Sequence, residues 1–137
     1  MKKQLTEIEK KEYSYLISVL SSAVNETPAP IPYENINWQR LLKRAKICGL
    51  DAAFSNTVLT LPKDYFTNDD VVKILKENIN AEILIDSNHS YEIEKVLSAF
   101  DKYKIKNVPL KGYFIKNEYP RTDYRSISDY DILFDRN

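Results

Sequence analysis

The sequence predicts an α+β chain that is mostly α: a helical N-terminal region followed by a β-α-β piece at the end. Three observations carry this. No glycine or proline occurs from Lys63 to Val108, and apolar residues recur there at helical spacing through Val71, Leu75, Ile79 and Ile83, then Ile93, Val96, Leu97 and Phe100. Pro28, Pro30 and Pro32 alternate in a stretch that cannot be helical. From Ser128 to Phe134 the pattern switches to a period of two, with Tyr130, Ile132 and Phe134 on one face and Asp129 and Asp131 on the other.

In chain order, residues 5–24 read as a helix whose stripe is Ile8, Leu16, Leu20 and Val24, with Tyr13 and Ile17 beside it. Its charged first half, including Glu9 and Glu12, reads as a solvated surface. Residues 1–32 therefore form an N-terminal helix and a Pro-rich linker. Residues 33–106 form a helical region. Asn37 caps a second helix with a Trp38, Leu41, Leu42, Ala45 stripe, and Gly49 ends it. Trp38 reads as core, Cys48 as a small packed residue, and Lys43, Arg44 and Lys46 as a small solvated basic face. A short helix over 51–60 ends at Leu61-Pro62. Thr67 or Asn68 caps the next pattern, which is one long helix or two with a break near Asp86-Ser87-Asn88. His89 reads as a polar residue on the helix surface.

Residues 107–137 hold the chemistry. Val108-Pro109-Leu110 is a short apolar run, Lys111-Gly112 follows at once, and a short helix over 113–119 ends at Tyr119-Pro120. Gly112, one of two glycines, lets a backbone or a phosphate come close, and Lys111 can meet a phosphate as a point charge. The helix opening near the glycine offers free amides to an anion. On a strand, Asp129 and Asp131 lie roughly 6.6 Å apart at the backbone. Such carboxylates can converge on one divalent ion, or share two about 3.5–4 Å apart, and hard oxygen ligands suit Mg²⁺ or Mn²⁺.

This order of residues resembles a family of uncharacterised bacterial nucleotidyltransferases within the DNA polymerase β-like superfamily. The matching features are Leu110-Lys111-Gly112, Tyr119-Pro120, Arg125 and Ser128-Asp129-Tyr130-Asp131-Ile132-Leu133, with Trp38 to Leu42, Ala45 and Leu61-Pro62 as a helical lead-in. The resemblance spans roughly residues 35–135. It implies that 107–137 are the start of a nucleotidyltransferase fold. Asp129 and Asp131 would hold the metal that carries a nucleoside triphosphate. Lys111, Gly112 and Ser128 would line the phosphate pocket, and Arg125 would orient the motif or touch a phosphate. The implied reaction is attack of an acceptor hydroxyl, on a small molecule or a protein, at the α-phosphate, with loss of pyrophosphate. Two departures stand out. Gly112-Tyr113 replaces the superfamily's usual Gly-Ser or Gly-Gly. A third carboxylate would be expected on a later strand, and Asp135 lies about 13 Å from Asp131 at strand rise. The chain thus reads as a fragment with an incomplete site. The alternative is a non-catalytic binding or antitoxin-type regulatory module, and a third reading is a plain helical interaction domain.

Composition narrows the partners. The 43% hydrophobic and 29% charged fractions suit a globular chain, and the zero net charge disfavours nucleic acid as the main partner. One cysteine excludes an intramolecular disulfide framework and Cys-rich zinc sites. No signal peptide or membrane span is visible, so the cytoplasm is the default. An isolated strand pair leaves edges, and so a homo-oligomer that covers the second strand is expected.

Overall fold

The computed structural model describes residues 5–127 and 129–135. Five helices and a two-stranded antiparallel sheet make up these residues, mostly helical as expected. Helix α1 (Glu7–Asn25) opens in a capping box, in which the Glu9 amide donates to the Thr6 hydroxyl at 3.2 Å and the Thr6 amide donates to the Glu9 carboxylate at 2.9 Å. Its buried face is Glu12, Tyr15, Leu16, Val19 and Ala23. The expected stripe was therefore rotated, because Ile8, Ile17 and Val24 are exposed. The cause is Glu12. It is 0% exposed, and its carboxylate accepts from both Arg40 and Arg44, so a charged residue occupies the core face. Arg44 also donates to the Tyr13 hydroxyl, so it is a tie between helices and not part of a solvated basic face.

The prolines after α1 run without regular structure, and the Tyr15 hydroxyl holds them by donating to the Pro30 carbonyl at 3.0 Å. Helix α2 (Trp38–Ile47) starts where expected, with the Arg40 amide donating to Asn37 Oδ1 at 2.9 Å. Trp38, Leu41, Leu42 and Ala45 are buried. Trp38 is 2% exposed, meets the rings of Tyr15, Phe54 and Phe66, and donates its indole N–H to the Tyr65 carbonyl. Cys48, the residue that caps the helix end, is exposed, not packed. Gly49 takes a left-handed φ of +64°, which a side chain would strain.

Helix α3 (Asp51–Val58) is surrounded by α1, α2 and α4, and Ala52, Ala53, Phe54, Ser55 and Val58 are buried. It ends two residues short of the expected boundary, in a turn leading to Leu61-Pro62. A 3₁₀ turn (Lys63–Tyr65) leads to α4 (Asp69–Lys102), capped by Asn68. This helix is one piece of 34 residues, about 50 Å long, with no break at 86–88. Val71 and Leu75 complete the main core. Beyond Leu75 only Ile93 of α4 is buried, and Ile83, Leu84, Ile85 and Val96 are exposed.

The chain then forms β1 (Asn107–Pro109), α5 (Lys111–Lys116), a second 3₁₀ turn (Thr122–Tyr124) and β2 (Ile132–Phe134). The strands pair as Asn107 with Phe134, Val108 with Leu133 and Pro109 with Ile132. Helix α5 lies earlier than the expected 113–119. The second strand is shorter than the expected 128–134, and Asp129–Asp131 precede it. Among the described residues, no helix is long and apolar enough to cross a membrane.

Candidate functional site

The site is built where β1 gives way to α5. Leu110 is extended, and its amide donates to the Asp131 carbonyl at 2.8 Å, one bond beyond the strand ladder. That bond sets Asp131 beside the start of α5, with Asp131 Oδ2 4.0 Å from Lys111 Nζ. Both side chains are largely exposed, so solvent screens the pair strongly. Tyr130 points the other way, edge-on to His89 of α4 and to Tyr113 of α5, with ring centres 6.2 and 6.4 Å away. The in-out alternation read from the sequence survives although these residues are not in the strand. His89 is a half-buried ring contact and not a bare surface residue.

Gly112 has a backbone for its neighbour. A Cβ there would lie 3.5 Å from the Asp129 carbonyl oxygen and 3.7 Å from Ile127 Cγ2. A longer side chain would be directed at Ile127 and the Asp129 carbonyl. The glycine thus lets the carboxylate-bearing segment lie close against α5.

Lys111, Gly112, Arg125, Ser126, Ile127, Asp129 and Asp131 line one cleft of about 190 Å³. Five of the six expected site residues are together there. The sixth, Ser128, lies outside the described residues. Asp129 and Asp131 are both exposed. Asp135 lines a different cleft with Lys106, Asn107, Val108, Leu133 and Phe134. Among the described residues, no group of three carboxylate, histidine or cysteine side chains could hold a metal ion.

Ser126 and Ile127 are additions that the sequence reading missed. Ser126 adjoins Arg125, but its partners are remote in sequence: its amide donates to the Gly49 carbonyl at 3.2 Å and its hydroxyl to Glu82 of α4 at 2.6 Å. On the other side of Arg125, the Tyr124 hydroxyl accepts from Asn56 of α3 at 2.6 Å. Arg121 grips Asp123 with two bonds of 2.9 and 3.0 Å, and these bonds raise the guanidinium pKa further. The segment carrying Arg125 is thus tied to the helices at both ends.

Nothing among curated proteins or solved structures matches the chain. A sequence-family comparison does match, over residues 34–137, to the family described as uncharacterised nucleotidyltransferase. That span includes α2, α3, α4, the strand pair and every candidate residue above. The chain therefore belongs to the uncharacterised nucleotidyltransferase family, and residues 34–137 carry its nucleotidyltransferase-like domain.

Proposed function

We propose that the cleft binds a nucleoside triphosphate with a divalent metal ion and transfers a nucleotidyl group to an acceptor hydroxyl. The observation that supports this best is the convergence of Asp129, Asp131, Lys111, Gly112 and Arg125 on one open cleft. Two exposed carboxylates fit Mg²⁺ or Mn²⁺, because such ions commonly take one or two protein carboxylates and complete their shell with water and phosphate oxygens. When bound, the metal supplies charge neutralisation at the triphosphate. Asp129 and Asp131 would hold it, and Lys111 and Arg125 would meet the phosphates as cations. The new bond joins the acceptor oxygen to the α-phosphorus, the bond to the β-phosphate bridge breaks, pyrophosphate leaves and the acceptor proton passes to solvent. This chemistry rests on positioning and electrostatics and needs no protein nucleophile. The same reading assigns the domain to the DNA polymerase β-like superfamily.

A second reading, a non-catalytic binding or antitoxin-type module, draws on the contact between Asp131 and Lys111. A helix through residues 126–134 would have supported a plain interaction domain, but the described residues of that stretch form none.

Pyrophosphate release separates the two readings. The protein is incubated with each triphosphate and Mg²⁺, and with two acceptor sources in parallel: a deproteinised cell extract and the heat-treated protein fraction of the same extract. Transfer predicts Mg²⁺-dependent release that Asp129→Asn with Asp131→Asn abolishes. Binding without release from any triphosphate would establish the module instead.

A further inference from the structure

The geometry points to Asp86, in the middle of α4, as the positioning residue for the site; the inference rests on the nucleotide reading above. One carboxylate holds two separate segments. Asp86 Oδ1 accepts from the Lys116 ammonium, and Oδ2 accepts from the Thr122 hydroxyl at 2.7 Å. Lys116 is the last residue of α5, five positions after Lys111, and Thr122 lies three before Arg125. Lys116 is 5% exposed and also donates to Ser90 Oγ, one turn along α4, at 2.8 Å. One turn earlier on α4, Glu82 accepts from Ser126. Glu82 and Asp86 thus hold the Thr122–Ser126 segment on both sides of Arg125, and Asp86 ties it to α5.

A buried ammonium is costly without a counter-charge, so removing Asp86 forces Lys116 toward solvent. Helix α5 must follow, and with it Lys111 and Gly112. Among the described residues, Asp86 is the ionisable side chain that Lys116 hydrogen-bonds, and its other partner, Ser90, carries no charge. The main core is built from α1, α2, α3 and the start of α4, so Asp86 is not needed for it. Asp86 lines no part of the cleft itself and acts through Lys116 and Thr122.

The test measures Mg²⁺–ATP affinity and amide hydrogen exchange on the full chain with Asp86→Asn, Thr122→Val and Thr122→Ser. Asp86→Asn is expected to speed exchange at 111–116 and 121–127, to leave 38–58 unchanged, and to weaken Mg²⁺–ATP binding roughly 10–100-fold, the scale seen when groups that orient metal ligands are lost. Thr122→Val should loosen 121–127 alone, and Thr122→Ser, which keeps the hydroxyl, should restore it. Unchanged exchange in both segments, or unchanged affinity despite faster exchange, overturns the proposal. Should Asp86→Asn unfold the chain, exchange at 38–58 reveals it and the Thr122 pair decides. Should the wild type bind no Mg²⁺–ATP, the nucleotide reading fails, and the exchange arm still decides whether Asp86 holds both segments.

Discussion

The two ends of this chain are stabilised in opposite ways. The N-terminal helices and the start of α4 share one apolar core in which Val19, Leu41, Ala45, Phe54, Val58 and Leu75 are fully buried. Around the strand pair, Val108, Leu110, Phe114, Ile115, Leu133 and Phe134 are all exposed. What holds that region to the rest is largely polar: Lys116 and Thr122 on Asp86, Ser126 on Glu82 and Gly49, and Tyr124 on Asn56, beside a small apolar cluster of Tyr124 with Ala23 and Ala53 and the ring contacts of Phe134 with Phe100 and of Tyr130 with His89. Apolar burial is non-directional, whereas hydrogen bonds and ion pairs fix position. The helices thus supply stability, and the polar ties supply the geometry of the cleft.

The sharpest way to break this contrast is to empty the core. Trp38→Ala should cost about 3–5 kcal/mol in urea unfolding, a large share of the roughly 5–15 kcal/mol available to a domain. Next comes the buried carboxylate of α1. Glu12→Gln should cost about 1–3 kcal/mol, because it leaves Arg40 and Arg44 without their shared counter-charge. Arg40 can still turn to solvent, which keeps the loss below that of a sealed pair. Tyr15→Phe should cost about 1 kcal/mol by removing the bond to Pro30. Its pH signature has a definite sign. Burial raises the Tyr15 pKa above the ordinary 10.0. The unfolded chain therefore loses the proton first, and stability falls as pH rises above that value. The Phe variant should show a shallower fall. Smallest of all, Leu133→Ser, at a side that is 63% exposed, should change stability by less than about 0.5 kcal/mol. A loss above 2 kcal/mol there would show that the strand face is covered in solution.

The same contrast explains what could be read from the sequence. Helix α2 was legible because its cap, its Trp38 stripe and its Gly49 stop are all local signals. Helix α4 was legible by length, but not its continuity, since Asp86-Ser87-Asn88 looks like a weak point until its partners are known. Lys116 lies 30 residues away and Thr122 lies 36, and no periodicity links them. The face of α1 was misjudged because Glu12 counts as solvated until two arginines from the next helix meet it. Cys48 was misjudged because a helix end carries no local signal of what packs against it. The cleft was legible as a set of residue types in order. Its form was not: the carboxylates sit just before a three-residue strand, held by the Leu110 to Asp131 bond and by the close fit of Gly112 against Asp129.

The central claim, that this cleft is a metal-dependent nucleotide site, is tested most directly by calorimetric titration of ATP and then the other triphosphates. The titration is run with Mg²⁺ and with EDTA, on wild type and on Asp129→Asn with Asp131→Asn. The account predicts binding that requires Mg²⁺ and disappears in the double variant. Equal binding in EDTA, or binding that survives loss of both carboxylates, would contradict it.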